Sequence, residues 1–372
     1  MAVNEAKDMR LLMVTWKYLP EMGGIPTHVH EVARRLAAGG VDITVLATDL
    51  SGELPKDEVM GGVRVLRVQA WPRKRDYFFA PGMYRIIKNG NWNLMHCQGY
   101  QTLVPPVAMF AAWRAKIPYV ATFHAGGHSS QVRKLIRVVQ WEINAPLLAR
   151  AARLVVNAEW EAKFFRKRLR LHKQTFVRIP NGGSLPDVAR SPAPLSGEGP
   201  LIVSVGRLER YKGHHRIINA LPKVREVYPD VRLRIVGSGP YEEELNQLAR
   251  ELGVADCVEI GPIPMSDRKG MASLLAHANL FVLLSAYEGH PIAVIEALAV
   301  GCPALVSDPP GLQEFADRGF ARSISLKSSP EATAAAMVAQ LREPLIPEFT
   351  MPSWDECASD LLALYNETLE GR

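Results

Sequence analysis

Short apolar runs alternate with amphipathic stretches along nearly the whole chain, and the alternation stops once and starts again. Leu11–Val14, Ile43–Leu46, Val63–Val68, Leu94–His96, Tyr119–Phe123 and Leu154–Val156 read as strands, with helical segments between several of them. Thr27–Leu36 carries Val29, Val32, Ala33 and Leu36 at helical spacing and runs into Gly39-Gly40. Leu185–Pro194 then breaks the pattern with Pro186, Pro192 and Pro194 among small and polar residues, and reads as a connection between domains. Beyond it, strands are expected at Leu201–Val205, Arg232–Val236, Val258–Ile260, Leu280–Leu284 and Pro303–Ser307. Helices are expected at His214–Tyr228, Tyr241–Leu252, Arg268–Ala276, around Glu296 and at Trp354–Leu369. Such alternation predicts parallel sheets covered by helices on both faces. The fold class is therefore α/β, with one doubly wound unit in residues 1–185, a linker at 186–199, a second unit in 200–350 and a C-terminal helix in 351–372. Two such units imply a cleft, and in each the ligands bind beyond the carboxyl ends of the strands.

With 372 residues the chain exceeds what one core accommodates. Its 48% hydrophobic and 22% charged residues exclude a disordered protein. Met1–Arg10 is too polar for a secretory signal, and the longest apolar stretch, Leu103–Trp113, contains Pro105 and Pro106 and is too short to span a bilayer. Cys97, Cys257, Cys302 and Cys357 lie far apart without metal-ligand spacing, which fits reduced thiols in a cytoplasmic protein. The charge is uneven. Residues 1–185 hold 27 Lys and Arg against 13 Asp and Glu, and residues 186–372 hold 17 against 25. Such asymmetry concerns partners rather than fold.

Several candidate motifs fall at carboxyl ends of expected strands. Ser285–Glu296 follows an apolar strand, carries Glu288 in a small-residue turn, and places Glu296 inside a helix that Pro291 is expected to open at its first position. The free amides of that helix start make an anion site, and two carboxylates beside it suit a ligand that also offers hydroxyls. A phosphorylated sugar or nucleoside offers both. Val205–Gly213 contains Arg207 and Lys212, which can reach one anion as a fork and as a point charge. Gly23-Gly24 lies between the first strand and its helix, where backbone amides can approach a ligand. His124 ends a strand of the first unit and is a candidate catalytic residue. The turn Gly237-Ser238-Gly239 lacks the third glycine of a dinucleotide fingerprint, with Tyr241 in its place, and reads as structural. No Asp-x-Asp occurs, so Arg207, Lys212 and helix amides would have to neutralise a diphosphate without a metal ion.

In sum, the chain resembles the retaining family 4 glycosyltransferases of GT-B fold (glycosyl transferases group 1) along almost its whole length. Glu288 and Glu296, within Tyr287–Pro303, are similar to the family's main signature. Gly206-Arg207-Leu208 through Lys212-Gly213 is similar to its diphosphate-binding stretch, Gly23-Gly24 with His28 to its N-terminal glycine loop, and Pro180-Asn181-Gly182 to its segment before the linker. The resemblance implies two Rossmann-like lobes facing an inter-domain cleft, with the C-terminal helix crossing back to the N-lobe. It implies a nucleotide-sugar donor, a UDP- or GDP-sugar, as substrate, with no cofactor. Arg207 and Lys212 would bind and stabilise the leaving diphosphate, Glu296 the ribose hydroxyls, and Glu288 the donor-sugar hydroxyls. Amides near His290 to Ala293 would touch the phosphate, with Gly289, His290, Pro291, Ile292 and Ala293 among the donor-binding residues; Ile263 would meet the base, and His124 would help stabilise the oxocarbenium charge. Gly23 and Gly24 would approach the donor. His290 stands where the family usually has a bulky apolar residue, Leu284-Ser285 replaces its Pro-Ser, and Asn181-Gly182-Gly183-Ser184 replaces its Asn-Gly-Val-Asp.

The N-lobe of such a fold receives the acceptor. Here Gln131–Trp141 sets Val132, Leu135, Ile136 and Val139 in one stripe beside Arg133, Lys134 and Arg137, and Trp160, Phe164 and Phe165 precede Arg166, Lys167, Arg168 and Arg170. Basic amphipathic segments with aromatics can lie on anionic membranes, so a lipid-linked, glycolipid or polysaccharide acceptor at the inner face of a membrane is expected. The other reading is a core-facing stripe with solvated charges. No nucleic-acid-binding module is recognisable. Rival functions are a nucleotide-sugar 2-epimerase or hydrolase on the same fold, and a non-catalytic nucleotide- or sugar-binding module.

Overall fold

The computed structural model describes residues 9–21, 23–72, 79–125, 131–195 and 199–371, with the backbone alone over 131–138. Contacts divide the described chain into two units, one from residues of 1–182 with 353–372 and the other from 183–352.

The first unit runs β1 (Arg10–Thr15), α1 (Gly24–Ala38), β2 (Asp42–Asp49), β3 (Asp57–Met60), β4 (Val63–Gln69), α2 (Gly82–Asn89), β5 (Leu94–Gln98) and α3 (Val104–Arg114). It continues through β6 (Tyr119–Phe123), α4 (Gln131–Leu148), β7 (Arg153–Val156), α5 (Glu159–Arg168) and β8 (Phe176–Arg178). The sheet order is β3-β4-β2-β1-β5-β6-β7-β8, parallel except where the edge strand β3 pairs antiparallel with β4. Leu11 to Val14 of β1 are fully buried because helices cover both faces. On α1 the stripe Val29, Val32, Ala33 and Leu36 faces the core, as its spacing predicts.

The second unit contains β9 (Leu201–Val205), α6 (His214–Arg225), β10 (Arg232–Val236), α7 (Glu242–Glu251), β11 (Val258–Gly261), α8 (Arg268–His277), β12 (Leu280–Leu283) and α9 (Ile292–Ala299). After these come β13 (Ala304–Ser307), α10 (Pro310–Asp317), β14 (Arg322–Ile324) and α11 (Pro330–Arg342). Its parallel sheet has the order β11-β10-β9-β12-β13-β14, with one apolar cluster on each face. The expected linker carries no helix or strand in its described residues and packs on this unit. Ser191 N–H donates to Ala276 O, Ala193 N–H to His277 O, and Arg190 reaches the carbonyls of Leu275 and Ala276.

The final helix, α12 (Trp354–Glu370), starts at a capping box in which Ser353 and Glu356 bond each other's backbone N–H. It packs on α1 in the first unit. Trp354 is fully buried, Asp355 pairs with Arg35, and a side chain at Gly182 would collide with the Trp354 backbone.

Elements absent from the periodicity reading are short or blurred. β3 and β8 are brief edge strands, and α11 buries Thr333, Ala334, Met337 and Leu341 from a run so rich in alanine that its apolar stripe is faint. One expectation is corrected. Pro291 does not occupy the first helical position: its ψ of 114° is extended, so it is the N-cap and α9 begins at Ile292.

Candidate active site

In the second sheet, strand order reverses between β9 and β12, and the two loops with the strongest motifs leave those neighbouring strands. A reversal of this kind opens a crevice at the carboxyl ends of the strands. The loops are joined to each other. Ala286 N–H donates to Tyr211 O at 2.7 Å, the Ser285 hydroxyl to Lys212 O at 3.3 Å, and Ser307 Oγ to Ser285 O at 2.7 Å. Gly213 completes the junction. Its φ of +78° is left-handed, and a Cβ there would sit 1.9 Å from Leu284 O, so only glycine fits.

This junction brings Lys212 and Glu288 together, with Nζ 2.7 Å from Oε1 and the side chains 15% and 10% exposed. Burial works against the ammonium charge, but Glu288 and Tyr211 outweigh it and the Lys212 pKa is raised. Arg207 pairs with Glu209 and donates to the Tyr211 hydroxyl at 2.7 Å. The Tyr211 ring lies within 6 Å of both cations, at 5.8 Å from the Arg207 guanidinium and 5.6 Å from Lys212 Nζ. The phenol is pushed up by burial, against the pull of Lys212 and Arg207. Beneath the loop, His214 Nδ1 faces Ser204 Oγ at 3.0 Å, and burial followed by Lys212 lowers its pKa to about 4.

Glu296 is buried in the first turns of α9, where Arg268 of α8 donates to its Oε1. Val294 and Ile295 N–H turn back to Pro291 O, so the first amides, of Ile292 and Ala293, have no acceptor within the helix. Gly289 is buried and Gly311 of α10 packs on it, since a Cβ at Gly311 would lie 2.2 Å from the carbonyls of Glu288 and Gly289. The His290 ring stacks on Phe315 of α10, with centroids 5.4 Å apart. Ile263 follows β11 and packs half-buried on the neighbouring core. Gly237 and Gly239 press on the Gly206–Leu208 backbone, in keeping with a structural turn.

In the first unit the strand order reverses between β1 and β5. Gly23, with φ of +147°, caps α1, and Gly24 is its first residue. His28 is buried on α1, with Nδ1 at 3.0 Å from Asn181 Oδ1 and its ring edge-on to His124 at 4.8 Å. His124 follows β6. Its Nε2 lies 2.7 Å from Gln98 Oε1, and its carbonyl accepts from Gln101 Nε2. Burial first, then His28 and His96, holds the His124 pKa well below the ordinary histidine value. Burial also lowers His28 to about 4 and His96 to about 3.

Of the expected basic surface, the side chains of Arg133, Lys134 and Arg137 lie outside the described residues. Arg166 and Lys167 are exposed, Arg170 follows α5 at φ of +54°, and Arg168 pairs with Glu142 and covers the Trp141 ring. Phe165 is no surface aromatic: it is buried in the core, stacked on Phe123. Val139 and Ile143 of α4 point outward at 60% and 47% exposure, while Gln140 and Asn144 on its other face bond Tyr100 O. Among the described residues no helix is long and apolar enough to cross a membrane.

Sequence reasoning missed Tyr211, Arg268 and Gln98. Tyr211 stands inside the Val205–Gly213 stretch but carries no charge to draw attention there, and Arg268 and Gln98 act through contacts to Glu296 and His124, 28 and 26 residues away.

Residues 22–184 match the family Glycosyltransferase Family 4, and residues 188–348 match Glycosyl transferases group 1. Over 347 residues the chain is 31% identical to glycogen synthase of Mycobacterium tuberculosis, spanning 84% of this chain and 81% of that one. Phosphatidyl-myo-inositol mannosyltransferase of Mycobacterium leprae is 26% identical over 378 residues, 96% of each chain. Anabaena HepE, solved in complex with UDP and glucose, shares the fold with a TM-score of 0.73 over 96% of this chain and 99% of that one, at 16% identity. Two Rossmann-like sheets, the linked loops at the second sheet's reversal point and these matches agree: the chain belongs to the family 4, group 1 glycosyltransferases of GT-B fold and is a glycosyltransferase.

Proposed function

We propose that this glycosyltransferase moves a sugar from a nucleotide-sugar to a lipid-linked, glycolipid or polysaccharide acceptor, with retention at the anomeric carbon and without a metal ion. The observation that carries the reading is the junction of Lys212, Arg207 and Glu288 at the β9/β12 reversal, with Glu296 one turn inside the helix α9 that follows Glu288. As the bond from the anomeric carbon to the phosphate oxygen breaks, negative charge grows on the diphosphate. The Lys212 ammonium, the Arg207 guanidinium and the first amides of α9 stabilise that charge. Glu288 accepts hydrogen bonds from donor-sugar hydroxyls, and Glu296 from the ribose. The acceptor hydroxyl adds to the anomeric carbon from the leaving-group face and passes its proton to the departing phosphate oxygen. His124 acts on the developing oxocarbenium charge, Ile263 meets the base, and Gly23 and Gly24 approach the donor.

Of the UDP- and GDP-sugars expected as donor, the UDP held by HepE supports a UDP-sugar. The names glycogen synthase and phosphatidyl-myo-inositol mannosyltransferase support glucan and inositol-lipid acceptors. The outward Val139, Ile143 and Phe164 beside Arg166 and Lys167 support contact with an anionic membrane surface.

The test supplies UDP- and GDP-sugars, in EDTA, with a glucan, a phosphoinositide vesicle or no acceptor, and reads products by NMR. Transfer to an added acceptor with unchanged anomeric configuration is expected. Turnover of donor alone, faster than transfer, would instead identify an epimerase or hydrolase.

A further inference from the structure

His124 stands in a buried polar array of the first unit that contains two further histidines, His28 and His96. Asn157 Nδ2 donates both to Ile179 O and to Asn181 Oδ1, so Asn181 Oδ1 is an acceptor and His28 presents it with an Nδ1 proton. His96 Nδ1 lies 2.6 Å from the Tyr365 hydroxyl of α12 and 3.2 Å from Gln98 Nε2, while His96 Nε2 lies 2.6 Å from Thr122 Oγ1. Gln98 Nε2 also lies 3.4 Å from His96 Nε2, so in either tautomer of His96 the unprotonated ring nitrogen is an acceptor within reach of the Gln98 NH₂. With the proton on Nε2, Thr122 accepts it and Nδ1 takes Tyr365 and Gln98; with the proton on Nδ1, Tyr365 accepts it and Nε2 takes Thr122 and Gln98. The Gln98 amide is thereby oriented with Oε1 toward His124 Nε2, 2.7 Å away, where it accepts that proton.

We propose that Gln98 is a positioning residue for transfer: its amide oxygen locks His124 as the Nε2–H tautomer, so that Nδ1 offers its lone pair to a hydroxyl of the transferred sugar, and Tyr365 holds Gln98 in that orientation through His96. The proposal rests on the reading of His124 as a catalytic residue. The groups around His124 are His28 of α1, His96 and Gln98 of β5, Thr122 of β6, Tyr365 of α12, and Glu161 of α5, which accepts the Ala125 N–H. Because the two neighbouring histidines and burial all oppose a positive charge there, His124 stays neutral through ordinary pH, and which nitrogen carries its single proton decides what it can bind.

The test uses the full chain with ¹⁵N-labelled histidine, His124 being assigned by its loss in His124→Asn. Wild type is expected to show His124 protonated on Nε2. Gln98→Met, close in size but without an acceptor, should give a mixture of tautomers and a fall in kcat on the order of a hundredfold, the cost of a small misplacement of a catalytic group, with donor KM unchanged. Gln98→Glu restores an acceptor. It should return the Nε2–H form and much of kcat, and should move the acid limb of the pH–rate profile upward, because a carboxylate favours the imidazolium. Tyr365→Phe is the second probe if Gln98→Met fails to fold, and should loosen the tautomer preference in the same sense. An unchanged His124 tautomer in these variants overturns the proposal, as does a mixture of tautomers with full kcat. Full activity in His124→Ala overturns the catalytic reading of His124 and the proposal with it, and the NMR result separates that failure from a wrong assignment of Gln98.

Discussion

Lys212 and Glu288, 76 residues apart in sequence, meet at 2.7 Å between Nζ and Oε1. The contact joins the loop that leaves β9 to the loop that leaves β12. It sets the cation proposed for the diphosphate beside the carboxylate proposed for the sugar, so each holds the other ready before a donor arrives. Since both side chains are nearly buried, removing either leaves an uncompensated charge.

Lys212→Ala is therefore expected to lower stability by a few kcal/mol, roughly the 3–5 of a broken buried pair, and to reduce kcat severely. Lys212→Arg should recover stability more than activity, because a planar fork does not reproduce a point charge. Denaturant melts and initial rates with saturating donor check both. Equal stability of wild type and Lys212→Ala would contradict the pairing. Because the Lys212 pKa is raised, the pair's contribution is complete below the unfolded value of 10.5 and is lost only as pH climbs through the higher folded value.

Gly213→Ala places a methyl group against Leu284 O at a left-handed backbone position. It should cost more than about 1 kcal/mol and should weaken donor binding by pushing the two loops apart. Gly253→Ala is the control, since that glycine shares the positive φ but meets nothing within 4 Å. It should lower stability less and leave donor affinity unchanged. Thermal melts and donor titrations of the two variants give the comparison.

The histidines make the fold acid-sensitive. In the folded chain His28 and His214 are lowered to about 4 and His96 to about 3, by burial first in each case. The unfolded chain therefore binds more protons as pH falls below 6.5, and stability present above that value drains away toward pH 4. Each buried histidine removes about 1.4 kcal/mol per pH unit in that window. Tm measured from pH 7.5 to 5 should fall steeply below 6.5, and His28→Asn should flatten the slope. A Tm constant over that range would contradict the buried neutral state.

The strands were legible because a sheet covered on both faces turns each strand into an unbroken apolar run, as in Leu201–Val205 and Tyr119–Phe123. The carboxylates and cations were legible because Glu288, Glu296, Arg207 and Lys212 stand at spacings that chemistry and family resemblance both recognise. Arg268 was not, since its tie to Glu296 depends on how α8 packs beside α9. Nor was Gln98, an ordinary polar residue at the end of a strand until His124 and His96 close around it. The inverted face of α4, with Gln140 and Asn144 inside and Val139 and Ile143 outside, defeats any rule that sends apolar residues to the core.

Arg268→Ala should remove the guanidinium that donates to buried Glu296 Oε1 and so lower stability, as a denaturant melt would read. It should also raise the donor KM, because a carboxylate that has lost the Arg268 contact is held less firmly in place for ribose hydroxyls. Glu296→Gln should raise KM as well, while keeping the neutral packing. If a 2′,3′-dideoxy nucleotide competes as well as the ribonucleotide in wild type, the ribose assignment is wrong.

The central claim is that the joined loops after β9 and β12 bind a nucleotide-sugar. The direct measurement is a thermal-shift screen of UDP, GDP, ADP and their sugars, in EDTA, on wild type and on Lys212→Ala. One nucleotide and its sugar should raise the wild-type Tm at millimolar concentration, with little shift in Lys212→Ala. No stabilisation of wild type by any of them, or an equal shift in both proteins, would contradict it.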